Sequence, residues 1–171
     1  TNGGVVQAVA FRSYVNKEKG EKYKEAFNAF MEEVGKDEGF KVIPRKEVRE
    51  MEEADREAYY DKYRAMRTLA NTRIDEVNKI ADPVDVADFI DHIDYLVEKL
   101  GIDHVGISSD FDGGGGIEGW KDASETLNVT IELVKRGYTE EQIDKLWSGN
   151  LLRALDEVQA VAETIQSEEG E

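Results

Sequence analysis

Apolar positions along the chain follow two different periods, and the switch between them predicts the elements. Val5 to Phe11 (VVQAVAF) follows two glycines and is short, apolar and β-branched, which reads as a buried strand, with a core helix segment as the competing reading. From Lys19 to Val34, residues Tyr23, Phe27, Phe30, Met31 and Val34 fall on one stripe of an amphipathic helix, and Gly35 is placed to end it. Between Glu47 and Ile80, apolar residues recur at three- and four-residue intervals amid dense charge, predicting one long helix or two joined by a kink. Asp82-Pro83 is a helix-start signal, so Val84 to Leu100 is expected as a helix closed by Gly101. A second strand, Val105 to Ser109, comes next. Asp122 to Lys135 then reads as a helix stopped at Gly137, and Thr139-Glu-Glu-Gln142 is a capping box opening another. A last helix is expected from about Leu151 to Ile165, with a frayed tail over 167–171.

The resulting order is strand, helical excursion, helix, strand, helices: an α/β pattern in one folding unit carrying a helical insertion over roughly residues 16–80. Two parallel strands cannot form a buried sheet alone, because such a sheet needs cover on both faces and neighbours at both edges. Further strands are expected outside this chain, and the start Thr1-Asn-Gly-Gly reads as if cut from inside a longer one.

Composition narrows the partners. The 171 residues, 40% of them apolar, suffice for a real core. A net charge of −16, from 38 acids against 22 bases, disfavours nucleic acid and anionic membrane surfaces by repulsion. With no cysteine there is neither a disulfide framework nor a thiolate zinc site. No stretch approaches the ~18 apolar residues of a membrane span, and no signal peptide is recognisable. The expected protein is soluble, with cytoplasmic, periplasmic and extracellular locations all open.

The chemistry concentrates in Gly101-Ile-Asp-His-Val-Gly-Ile-Ser-Ser-Asp110-Phe-Asp-Gly-Gly-Gly-Gly116, an apolar strand ending in acids and glycines. If Val105 and Ile107 face helices, alternation puts Gly106, Ser108 and Asp110 on the opposite face. A strand that stops at an acid before a flexible loop is how α/β barrels present a carboxylate at their mouth, so Asp110 is the candidate catalytic residue. Its bland reading is a cap at a strand end. Asp112 is better suited to an Asx turn, and the glycines lack the Lys-Ser/Thr spacing of a phosphate loop.

Four blocks, Phe89-Ile-Asp-His-Ile-Asp-Tyr-Leu-Val, Gly101 to Gly113, Arg136-Gly-Tyr-Thr-Glu-Glu-Gln-Ile and Gly149-Asn-Leu-Leu-Arg153, occur in the order found in the C-terminal part of membrane (renal-type) dipeptidases, which the chain resembles. The likeness runs from about Pro83 to Val158, and Gly3 to Phe11 is similar to the family's seventh barrel strand. The resemblance implies the C-terminal portion of a (β/α)8 TIM-type barrel of the amidohydrolase kind, with only two of its strands in this chain. It further implies two zinc ions and dipeptide hydrolysis by metal-activated water, with Asp110, ending the eighth strand, shuttling a proton and contacting the substrate amine. The family's ligands, a His-x-Asp pair, a bridging glutamate and two later histidines, have no counterpart here, so the metal ligands are expected outside this chain. The remaining barrel is expected from a missing N-terminal portion or a second chain, and the chain alone should be inactive.

Other residues receive plainer readings. His104, just before its strand, suits a surface or packing role, and His92, mid-helix, a structural hydrogen bond. Asn150 reads as an N-cap of the last helix. Trp120 and Trp147 are candidate core anchors, with Trp120 close enough to the glycines to line the mouth. The helical insertion is a candidate wall, lid or homodimer contact. Two other functions stay open: a non-catalytic acidic helical segment for interaction or oligomerisation, and a related amidohydrolase such as a lactonase or deaminase.

Overall fold

Two strands, β1 (Val6–Val9) and β2 (Val105–Ser108), lie side by side as a parallel pair in the register Val6 with Val105, Gln7 with Gly106, Ala8 with Ile107 and Val9 with Ser108. The computed structural model describes residues 3–169, which divide into two units, one of residues 3–17 with 84–169 and the other of residues 18–83. The chain is rich in helix: α1 (Arg12–Val15), α2 (Lys17–Asp37), α3 (Arg45–Arg49), α4 (Glu53–Thr72), α5 (Ile74–Asn78), α6 (Val86–Leu100), α7 (Thr126–Lys135), α8 (Glu140–Asp144) and α9 (Asn150–Glu169). The tail expected to fray falls partly in α9, and residues 170 and 171 lie outside the described ones.

In the first unit the alternation of β2 decides what is buried. Val105 and Ile107, with Ala8 and Ala10 from the β1 segment, join Phe89, Ile90 and Ile93 of α6 and Val129 and Leu133 of α7 in one core. Each of the larger side chains, fully withdrawn from water, contributes roughly 1.5–3 kcal/mol. The other strand face carries Gln7, Val9, Gly106 and Ser108, none of them a member of that core. Gln7 folds over its neighbour Gly106, where any Cβ would overlap the Gln7 amide.

Helix α6 starts two residues later than the Asp82-Pro83 signal predicts. Val84 O accepts from Glu118 N at 2.8 Å and Val86 N donates to Glu118 O at 3.1 Å, so this segment is held extended. The cap is Asp85, whose side chain accepts from Asp88 N while Asp88 returns the bond to Asp85 N, a reciprocal capping box. Thr139 and Gln142 make the corresponding box at α8, as their spacing predicts. A π-helical stretch, Lys145–Gly149, then leads directly into α9.

The second unit is helical throughout, and Phe30, Met31 and Val34 of α2 pack with Met66 and Ala70 of α4 and Val77 of α5. The 47–80 region is three helices rather than one or two. Gly35 does not end α2: the helix runs to Asp37, and the stop is Gly39, at φ 64°. Gly39 N donates to Lys36 O and Phe40 N to Gly35 O at 2.7 Å, the paired bonds of a Schellman turn. Gly35 is small because Phe40 O passes where its Cβ would be.

Candidate active site

Just past the end of β2 the backbone turns at Asp110, whose φ of 54° makes it the one non-glycine residue in the left-handed region among the described residues. Aspartate tolerates this conformation better than most residues, yet it remains costly, and such strain collects where a side chain must be aimed. The following loop wraps around the Asp110 carbonyl, which accepts from Gly113 N at 3.2 Å and Gly115 N at 2.7 Å, while Gly114 N donates to Phe111 O at 3.4 Å. This wrap requires glycine. A Cβ on Gly113 would overlap Asp110 Oδ1, and one on Gly115 would run into the carbonyl oxygens of Ser109 and Asp110.

Below the loop an aromatic stack fixes its position. Phe111 meets Trp120 edge-on at 5.4 Å, and Trp120 in turn packs on Phe89 at 5.6 Å and Trp147 at 5.9 Å. The Trp120 indole donates to Thr126 Oγ1 at 3.1 Å and that of Trp147 to Thr130 Oγ1 at 3.0 Å, so neither ring is buried with an unsatisfied N–H. Trp120 is 2% exposed: it is a core anchor and does not line a mouth. Phe11, just beyond β1, lies against Gly114 and joins the two strand ends at the loop.

The Asp110 side chain is exposed and makes no hydrogen bond or ion pair among the described residues. A carboxylate so held can accept hydrogen bonds from a cationic amine or take and return a proton. Asp112, expected to close an Asx turn, makes no side-chain hydrogen bond among the described residues, where backbone N–H groups of the glycines already close the turn. His92 also lacks the hydrogen bond expected of it: it is half-buried on α6 with no partner among the described residues. His104 packs at the other end of β2, its Nδ1 2.8 Å from Gly4 O. Among the described residues no three His, Asp or Glu side chains converge on a metal-sized space.

Asn150 is the correction with most consequence. It is not an N-cap but the first residue of α9, with helical φ and ψ of −66° and −41°. At 2% exposure it is the one buried polar residue described, and its Nδ2 donates to Ile102 O at 2.6 Å and Val105 O at 2.8 Å. Arg153, one turn on, donates to Asp103 O at 2.9 Å and reaches Gly3 O at 3.4 Å. These side chains pin α9 to the start of β2. The Gly-Asn-Leu-Leu-Arg block contained both residues, but not the carbonyls they would find.

Comparison with known proteins gives a consistent picture. The chain is 39% identical over 104 residues to dipeptidase ataJ of Aspergillus terreus, an alignment covering 60% of this chain and 24% of that protein. It is 35% identical over 86 residues to dipeptidase tcpJ of Claviceps purpurea, covering 50% of this chain and 20% of the relative. The crystal structure of the probable dipeptidase PvdM from Pseudomonas aeruginosa superimposes with a TM-score of 0.55 at 35% identity, over 92% of this chain and 38% of that one. The chain thus spans well under half the length of these relatives. With the family's sequence profile matching residues 1–169, the chain belongs to the membrane dipeptidase family, peptidase family M19.

Proposed function

We propose that this chain is the C-terminal part of a (β/α)8 barrel and that it contributes Asp110 to dipeptide hydrolysis in the complete protein. The observation carrying the reading is the unpaired Asp110 carboxylate, held in a left-handed turn at the end of a parallel strand, in a chain of this family. Surfaces that a complete barrel would cover support it. The strand face of Gln7, Val9 and Ser108 is only half-buried, and Leu151, Leu155, Val158 and Ile165 of α9 form an exposed apolar stripe at helical spacing.

The zinc ions implied by the resemblance do not fit the residues present, since no ligand cluster forms among those described. Their ligands are assigned to barrel strands beyond this chain. What Asp110 itself does is narrower. A dipeptide carries an α-ammonium near the scissile bond, and the carboxylate can accept its hydrogen bonds and so orient the substrate. As water adds to the carbonyl, its proton passes to the carboxylate. When the C–N bond breaks, that proton goes to the departing nitrogen and the new acid gives its remaining O–H proton to the amine, leaving a carboxylate, an ammonium product and Asp110 restored.

The test is Asp110→Asn in the complete protein, assayed on a dipeptide panel that includes D-residues at the C-terminal position. Amide for carboxylate keeps the size and removes the proton acceptor, so kcat/KM should fall by about 10²–10⁴ with folding unchanged. Turnover within a few-fold of wild type would remove Asp110 from the reaction.

A further inference from the structure

We propose that the helical unit of residues 18–83 holds a second binding site, for a small organic acid with an apolar or aromatic body. A cleft of about 800 Å³ opens among α2, α3, α4 and the 42–44 segment, within the size range of small-molecule sites. One wall is built from a single helix. Tyr59, Tyr60 and Tyr63 of α4 are half-buried, with Tyr59 stacked on Tyr63 at 6.1 Å and edge-on to Tyr60 at 5.8 Å.

Tyr59 is fixed in the wall. Its ring also meets Phe40 at 5.2 Å, and its hydroxyl oxygen accepts from Ile43 N at 3.3 Å. Tyr60 and Tyr63 have no hydrogen-bond partner among the described residues, so their hydroxyls are available as donors to a ligand. Met31 and Val42 add apolar surface to the same cleft.

Charge sets the ligand class. Lys24 from α2, Arg45 from α3 and Arg67 from α4 converge on the cleft from three different helices, against one lining carboxylate, Glu32. None of these three cations has an ion pair among the described residues, whereas neighbours in the same unit such as Lys22, Arg64 and Arg73 are paired with Glu18, Asp61 and Glu76. In a chain of net charge −16, cations left without carboxylates around an aromatic cleft form a local positive field. An arginine pair suits a carboxylate, and the tyrosine faces suit a ring or an aliphatic body. The site is independent of Asp110: the ligand need not be hydrolysed, and the result leaves the Asp110 reading untouched.

The experiment is isothermal titration calorimetry of the complete protein with three probes: 4-phenylbutyrate, its neutral amide 4-phenylbutyramide, and inorganic phosphate. Arg45→Gln with Arg67→Gln is the variant, since both side chains are exposed and circular dichroism should show an unchanged fold. Saturable binding of the acid is expected, with the amide and the double variant each weakened about tenfold or more and phosphate failing to compete. Acid and amide binding alike, the double variant binding as wild type, phosphate displacing the acid, or no saturation at millimolar concentration would each overturn the site.

Discussion

Asn150 and Val105 are joined by a bond that crosses 45 residues of sequence: the Asn150 amide donates to the Val105 carbonyl at 2.8 Å in the interior of the molecule. The same nitrogen serves Ile102 O, so one side chain satisfies two carbonyls where the chain leaves its 3₁₀ turn, Ile102–His104, and enters β2. Removing it strands the buried carbonyl of Val105 and the part-buried one of Ile102. Asn150→Ala should lower stability by roughly 2–3 kcal/mol, read as a fall in the urea midpoint at unchanged slope. Asn150→Asp should be at least as damaging, because a carboxylate would turn acceptors toward acceptors. A loss below about 0.5 kcal/mol in the alanine variant would mean that the two carbonyls find other donors.

The conformation of Asp110 separates stability from activity. At φ 54° the side chain is held where glycine would rest without steric cost. Asp110→Gly should leave the chain as stable as wild type or up to about 1 kcal/mol more stable. In the complete protein the same change should lower kcat/KM at least as far as Asp110→Asn does. Thermal unfolding of the two variants beside wild type checks the first half. A marked fall in Tm for the glycine variant would show instead that the carboxylate holds the loop.

What could be read from the chain was whatever depends on near neighbours. The two strands are legible because each is a short β-branched apolar run that begins soon after a glycine, and Asp110 stands out because the acid ends such a run. The capping box at Thr139 involves residues three apart, and it forms as read. The structure departs from the local signals where a group outside the motif decides. Asp82-Pro83 is a sound local start signal, but Glu118 claims the carbonyl of Val84 and delays the helix. Gly35 lacks a side chain and so resembles a stop, but its smallness admits Phe40 O and the stop lies at Gly39. Asn150 is of a type that caps helices, and nothing nearby announces the carbonyls of Ile102 and Val105. The candidate site is legible in the same measure: Asp110 is local to one strand, and among the described residues no cluster of metal-ligating side chains stands beside it.

The junction of α6 and α7 should make stability depend on acid. Arg136 reaches Asp91 at 2.6 Å and Asp94 at 2.9 Å on α6, and Glu132 on its own helix at 3.1 Å, while Tyr138 donates to Asp94 at 2.6 Å. Hydrogen bonds from Arg136, then from Lys135, hold the Glu132 carboxyl below its ordinary value of 4.5. A carboxyl whose folded pKa is depressed stabilises fully above its unfolded pKa, and that contribution disappears as pH falls through the folded value. Arg136 stays charged across this range, its own pKa raised chiefly by the Asp91 hydrogen bond, so between these two the transition is that of Glu132. Glu132→Gln should therefore be less stable than wild type near neutrality, by on the order of 1 kcal/mol. The gap should close as pH drops below about 4.5, the region of its ordinary titration. Urea unfolding at pH 7 and pH 3 tests this directly. An offset of equal size at both values would assign the role of Glu132 to packing and remove the ion pair from the account.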